Sequence, residues 1–347
     1  MVANHHIRFV VPDRSYASLT KRDITRLAES YGLSANEVGK VNIVVAELLS
    51  NLTKFSPQGG ELLVKQLRNP APEGIEIIYL DSGPGMADPL RMQEDGVSTF
   101  GTAGEGLGAI KRQSDLFDIY SSPAVGTVIL CQIYKGSVNK PSGKPVDRFA
   151  VGAVMVPKPN ETNCGDGYTI SFQDQLIRLL ALDGLGHGSH ASEASSLAIQ
   201  AFEDFPVLTP ADALRHIHSS IKRSRGAVGL ITNISLANQR ISYCGIGNIA
   251  GKLYSVEPTQ LSMPYKNIIS YNGILGHNIP TTLNNQQLDW NRNKILVIHS
   301  DGLRSRWDLG KYVGLHRHHA TTIAAVLYKD HGRHTDDTLV LVCKAKV

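Results

Sequence analysis

Four aspartates in the second half of the chain stand in the phrases Cys164-Gly-Asp166-Gly, Leu182-Asp183-Gly-Leu-Gly-His187-Gly, His299-Ser-Asp301-Gly and Thr335-Asp336-Asp337-Thr. Each lies at or beside the end of an apolar, strand-like run. Strand ends hold carboxylates rigidly, and carboxylates gathered from separated strands suit hard, octahedral Mg²⁺ or Mn²⁺ better than zinc. The expected chemistry is metal-assisted hydrolysis. In the first half, Glu47 and Asn51 are four apart on a predicted helix, so their side chains project together and can act on one ligand. Downstream come Asp81-Ser-Gly83-Pro-Gly85-Met86 and Gly101-Thr-Ala-Gly104-Glu-Gly106-Leu-Gly108. The second phrase precedes a predicted helix over 109–116, where glycine lets backbone N–H groups approach phosphates at a helix N-terminus.

The elements that must position these residues follow from periodicity. Ser34 opens a capping box with Glu37, and Val38, Val41, Val45, Leu48, Leu52 and Phe55 then recur on one helical face. Strand-like runs at 61–67 and 75–80 follow, the second leading into Asp81. In the second half, apolar runs at 149–156 and 175–182 predict strands, and 189–202 has helical spacing. Thr209-Pro210 with Asp212 marks another helix start. Residues 227–236 and 241–244, with a turn at Asn238-Gln239, read as a hairpin. A strand at 294–299, a helix at 321–328 and a last strand at 339–343 complete the order. Two sheets enclosing one core, with helices outside, accommodate it.

The chain has 347 residues and a formal net charge of +4 from nearly balanced acids and bases. No long basic run supplies an electrostatic footprint for nucleic acid. Gly, Pro, Ser and Lys replace periodic apolar sequence at 136–147, which is the expected linker between domains at 1–135 and 148–347. Cys131, Cys164, Cys244 and Cys343 show no ligand spacing and read as reduced, mostly buried thiols. No stretch approaches the length that spans a bilayer, so the expected location is the cytoplasm, with no membrane partner.

Glu47-x-x-x-Asn51, then DSGPGM, then GTAGEGLG resembles the three ATP-binding boxes of the GHKL superfamily. Within it, DSGPGM and EDGVSTFGTAGEGLGAIKR are most similar to the RsbT-type serine/threonine kinases of stressosome signalling. The resemblance covers about residues 38–130 and implies an α/β sandwich of the Bergerat type. It implies that Asp81 bonds the adenine amino group, that Asn51 holds Mg²⁺, and that Gly83, Gly85, Gly104, Gly106 and Gly108 shape the nucleotide pocket and its lid. Glu47 would be the general base for an acceptor serine, consistent with phosphoryl transfer by positioning, metal and base.

The aspartate phrases, together with KRSRGA, YCGIGNI and DDTLVLV, resemble the PPM metal-dependent serine/threonine phosphatases, in their sporulation stage II E branch and nearest its short RsbX-type members. The resemblance covers almost all of 148–347 and implies an α-β-β-α sandwich. It implies Asp166, Asp183, Asp301 and Asp336 as ligands of two Mn²⁺ or Mg²⁺ ions, with the Gly184 carbonyl as a further ligand. Asp183 and Asp301 would thereby serve the catalytic step. Asp337 remains an alternative to Asp336. A phosphate-binding arginine is not placed, with Arg148, Arg223 and Arg225 as candidates.

His187 reads as an exposed loop histidine, with help to the leaving group as the alternative. His5-His6 and His316-Arg317-His318-His319 read as surface histidines, and Trp290, Trp307 and Tyr312 as core or rim packing. The implied substrate is a phosphorylated STAS-type regulator in a partner-switching pathway. An active kinase, or a non-catalytic ATP-sensing module that gates the phosphatase, is the alternative role for the first domain. Related ATP-binding domains often dimerise, which leaves a homodimer open.

Overall fold

The computed structural model describes residues 5–68, 72–94, 106–123, 125–136, 148–173, 175–206, 209–256 and 263–346. The chain divides into two compact units, His6–Lys140 and Pro141–Val347, with the N-terminal residues through His5 counted with the second. Beyond Gly136, the expected linker lies outside the described residues, as does Gly104 of the glycine-rich phrase.

The first unit runs β1 (Ile7–Val11), α1 (Ala17–Ser30), α2 (Ala35–Phe55), β2 (Gly60–Leu67), β3 (Gly74–Asp81), α3 (Gly106–Gln113), β4 (Leu116–Ser122) and β5 (Gly126–Tyr134). Its sheet is antiparallel, in the order β1-β2-β3-β5-β4. Helix α2 starts at the capping box: Ser34 Oγ accepts from the Glu37 N–H at 3.4 Å, and Glu37 Oε2 accepts from the Ser34 N–H at 2.7 Å. The other Glu37 oxygen accepts from the Gly136 N–H at 2.7 Å. Val41, Val45, Leu48 and Leu52 are buried with Val64, Ile77 and Ile129. Each such side chain contributes roughly 1.5–3 kcal/mol on burial. Helix α3 starts at Gly106 rather than Ala109, and Leu116 belongs to β4. His6 is not a surface residue: it is fully buried and bonds Glu76, which also pairs with Lys65 at 3.0 Å.

The second unit contains β6 (Phe149–Val156), β7 (Asp166–Gln173), β8 (Leu176–Gly184), α4 (Ser189–Asp204), α5 (Pro210–Ser220), β9 (Ala227–Ser235), β10 (Arg240–Ile246), β11 (Ala250–Ser255), β12 (Tyr265–Ile268), β13 (Gln286–Asp289), β14 (Lys294–His299), α6 (Ala320–His331) and β15 (Thr338–Ala345). Two five-stranded sheets have the orders β13-β10-β9-β8-β7 and β12-β11-β14-β15-β6. Alternation sorts their side chains. Leu179, Leu230, Leu296, Leu339 and Leu341 fill the core between the sheets. Leu180, Leu182 and Ile231 share a second core with Phe202, Leu214 and Ile217 of α4 and α5. Helix α6 packs on β6 and β15. It comes so close to β6 that a Cβ on Gly152 would stand 2.1 Å from the Thr321 nitrogen. The result is an α-β-β-α sandwich, as expected.

All four cysteines are free and buried, and burial raises the Cys131 thiol to about 12 and that of Cys244 to about 11. Among the described residues, no helix is long and apolar enough to cross a membrane.

Candidate functional site

In the first unit, Glu47 and Asn51 are half-buried on α2. The first residue of α3 lies directly against them: a Cβ on Gly106 would meet Glu47 Oε2 at 2.8 Å and Asn51 Oδ1 at 3.8 Å. A larger residue at this position would turn the Glu47 carboxylate aside. Asp81 closes β3 on the same face as Tyr79, two residues before it, and is 5% exposed. Burial, reinforced by Asp81, pushes the Tyr79 hydroxyl well above its ordinary range. Asp81 Oδ1 accepts from the Gly83 N–H at 2.7 Å, which turns the chain as it leaves the strand. Gly85 has φ +68°, and a Cβ there would stand 2.0 Å from the Ser122 carbonyl oxygen. The next residue is tethered too, because Ser121 Oγ accepts from the Met86 N–H at 2.8 Å. Gly108 is buried within α3. Two of the three sequence boxes, on α2 and α3, therefore meet, and the third closes the neighbouring strand.

In the second unit, Asp166 opens β7 and Asp183 stands near the end of β8, and the two are direct cross-strand partners. Asp301 follows β14, while Asp336 and Asp337 precede β15. The carboxylates feel one another strongly. Burial, then Asp301, Asp336 and Asp337, push Asp183 up to about 7. Burial and then Asp183 hold Asp166 well above the usual carboxylate range, against a lowering bond from Ser300. Asp301 is raised by burial and by Asp336, opposed by Arg333 and by Asn248, whose Nδ2 donates to Asp301 Oδ2 at 2.9 Å.

Adjacent aspartates have different surroundings. Asp337 is 4% exposed, and its two oxygens accept from the Lys158 N–H at 2.8 Å and the Gly165 N–H at 3.0 Å. Asp336 is half-buried and accepts from the Asp337 N–H at 3.0 Å. Asp337 is thus engaged by backbone donors, which leaves Asp336 as the available carboxylate of the pair.

Among the described residues, no three of these side chains converge closely enough to hold an ion as they stand. They form a set of separated, mutually repelling acids. Their chemistry fits a hard divalent cation: the donors are oxygens, the surplus charge is negative, and burial strengthens its effect. Glycine keeps the corner open. A Cβ on Gly184 would lie 2.3 Å from the Ala191 carbonyl oxygen and 2.9 Å from that of Gly165.

Two cations lie beside these acids: Arg225, one of the three candidate arginines, and Arg333, which the sequence did not suggest. A Cβ on Gly186 would stand 2.9 Å from Arg225 Nη1, so this arginine reaches the loop that follows Asp183, and His277 Nε2 bonds the Arg225 carbonyl at 2.8 Å. Arg333 faces Asp301. Arg148 and Arg223 are exposed. His187 is exposed as expected, with Nδ1 2.7 Å from Glu161 Oε1. The remaining histidines serve structure: His319 Nδ1 accepts from the Thr321 N–H at 3.2 Å and caps α6, and the carbonyls of His316 and His318 accept from Lys344 Nζ. Trp290, Trp307 and Tyr312 are buried.

A family described as the histidine kinase-like ATPase domain matches residues 11–132. The serine/threonine-protein kinase RsbT of Bacillus subtilis is 31% identical over 103 residues, spanning 30% of this chain and 77% of its own. The phosphoserine phosphatase RsbX of the same organism is 24% identical over 147 residues, spanning 42% of this chain and 70% of its own. Among solved structures, RsbX in complex with magnesium aligns with a TM-score of 0.50 at 21% identity, covering 58% of this chain and 96% of that one. A chain from the bacterial stressosome, described as a modular system adapted to control secondary messenger signalling, aligns with a TM-score of 0.53 at 24% identity. It covers 57% of this chain and all of its own. These structural likenesses bear on the fold.

Proposed function

Because the chain belongs, through its first domain, to the histidine kinase-like ATPase family that includes the kinase RsbT, and joins that domain to one of PPM phosphatase fold, we propose that it is a partner-switching regulator whose second domain removes phosphate from a serine or threonine. The observation that carries this reading is the cross-strand pair Asp166–Asp183, to which Asp301 and Asp336 come from beside strands of the opposite sheet: burial raises both carboxyls, that of Asp166 further through Asp183 and that of Asp183 further through Asp301 and Asp336.

Asp166, Asp183, Asp301, Asp336 and the Gly184 carbonyl would hold two Mn²⁺ or Mg²⁺ ions. Bound there, divalent ions supply Lewis-acid stabilisation of charge on phosphorus and acidify a water nucleophile. The chain does the rest. Arg225, reaching over Gly186, offers its guanidinium to the substrate phosphate, a geometry in which arginine binds two oxygens at once. Asp337 fixes the loop that carries Gly165 and so holds Asp166 in place. The substrate class is a phosphorylated STAS-type regulator, supported by the similarity of the two halves to RsbT and RsbX.

The test is Mn²⁺-dependent phosphate release from a phosphorylated STAS protein by wild type and Asp183→Asn, with and without ATP. Release that vanishes in the variant is expected. No release by the wild type, from this substrate or from p-nitrophenyl phosphate, would sink the reading.

A second activity is favoured by Gly106, which brings the glycine-rich segment against Glu47 and Asn51. Asn51 would then hold Mg²⁺, Asp81 the adenine, Gly83, Gly85, Gly106 and Gly108 the pocket, and Glu47 would take the proton of the acceptor serine. Labelled-phosphate transfer to a STAS partner that Glu47→Gln abolishes, with ATP still bound, is the expected result. If ATP instead changes the phosphatase rate without being consumed, the first domain is a sensor rather than a kinase.

A further inference from the structure

Behind the carboxylates lies a buried polar chain that the reaction scheme above does not use. Ser300 is 1% exposed and separates β14 from Asp301. Its hydroxyl donates to Asp166 Oδ2 at 2.6 Å and accepts from the Leu339 N–H at 2.9 Å. These two bonds fix its direction and cross from one sheet to the other, since Asp166 opens β7 while Leu339 lies in β15.

The backbone of Ser300 is held in turn. His299 Nδ1 lies 2.8 Å from the Ser300 carbonyl, which can only accept, so Nδ1 carries the proton. His299 Nε2 is then free to accept from Trp307 Nε1–H at 3.2 Å. Burial agrees with this single neutral tautomer and lowers the imidazole to about 4. Trp307 is anchored by Lys252, whose Nζ lies 4.2 Å from the indole ring and donates to the Trp307 carbonyl at 2.6 Å. A hydroxyl so well supported, next to a carboxylate short of positive neighbours, has one oxygen of that carboxylate under its control.

We propose that Ser300 is a positioning residue of the phosphatase site: its hydroxyl engages one oxygen of Asp166 and so leaves the other for a divalent cation that would bind there. The inference rests on the metal-dependent reading above. Partners of this kind, bound to a metal ligand rather than to the metal, typically change metal affinity 10–100-fold when removed.

The experiment is isothermal titration of the full chain with Mn²⁺, paired with thermal melts in the metal-free state. Ser300→Ala is expected to weaken Mn²⁺ binding about tenfold or more, and Ser300→Thr, which keeps the hydroxyl, to stay within about threefold of wild type. Ser300→Cys fills nearly the same space with a poor donor and carries the test if the alanine variant fails to fold; it too should bind Mn²⁺ weakly. Lower melting with unchanged affinity in the Ala and Cys variants would mean that Ser300 only staples the sheets, and overturns the inference. Wild-type Mn²⁺ binding that is indifferent to Asp183→Asn would overturn the phosphatase reading and this one with it.

Discussion

Replacing Asp337 with alanine should loosen the second domain, whereas replacing Asp336 should disarm it. The Asp337 carboxylate is buried and satisfies the backbone N–H groups of Lys158 and Gly165. Alanine would leave both donors without a partner, at about 1–3 kcal/mol each. Relief of a buried charge, whose pKa burial already raises, offsets part of this. A net loss of about 3 kcal/mol lowers the midpoint of a domain this size by roughly 6–12 °C. Asp336 is half-buried and adds repulsion at Asp183 and Asp301. Its removal should change metal-free stability by less than about 1 kcal/mol in either direction. The assay is thermal unfolding in chelator followed by tryptophan fluorescence, which reports this domain alone because Trp290 and Trp307 are the only two tryptophans of the chain. Mn²⁺ titration of each folded variant completes it. Equal unfolding midpoints would refute the reasoning. So would a stable Asp337→Ala that loses Mn²⁺ while Asp336→Ala keeps it, since the roles would then be exchanged.

Gly106→Ala should turn the Glu47 carboxylate aside, because the added methyl would stand 2.8 Å from its Oε2, and so weaken ATP binding by less than about tenfold with the fold intact; fluorescent-nucleotide titration reads it. Gly152→Ala should destabilise the second domain by roughly 1–3 kcal/mol by pushing α6 off β6, seen as a lower urea midpoint. Burial alone would raise Glu76, but Lys65, His6 and Gln132 hold its carboxyl well below the usual range. A folded pKa below the unfolded one gives stability that is present above about pH 4.5 and is lost as pH falls from there. Urea midpoints of the first domain should therefore drop between about pH 5 and 3 in the wild type, and Glu76→Gln should be less stable at neutral pH with a flatter acid limb.

The parts of the fold that could be read from sequence are those in which a local signal and burial agree. Helix α2 announces itself by a capping box followed by a 3.6-residue stripe. Strands β6 and β14 occur at the expected residues because each is a short apolar run flanked by breakers. Strand β7 is not among the expected strands although Tyr168, Ile170 and Phe172 alternate with polar residues, because its far half is only partly buried and its apolar content is correspondingly low. The carboxylates were legible because each sits where an apolar run ends. Arg333, Asn248 and Ser300 were not, and Arg225 could not be separated from Arg148 and Arg223, since each reaches the acids through contacts distant in sequence that leave no periodic trace. The buried His6 has the same cause: its partner Glu76 lies on a strand two places away in the sheet.

The direct pairing of Asp166 with Asp183 also bears on the order of assembly. Strands β7 and β8 form a hairpin, and hairpins close in microseconds, so half of the acidic set is placed side by side by a local event. Asp301 and Asp336 flank β14 and β15 of the other sheet, whose pairing comes only after long loops have closed. During folding, the hairpin thus carries two adjacent acids with no partners from the second sheet. A cation that needs the full set gains its grip only when the sheets have met. It should therefore slow unfolding far more than it speeds folding, and act as a latch on the finished domain rather than as a template for it.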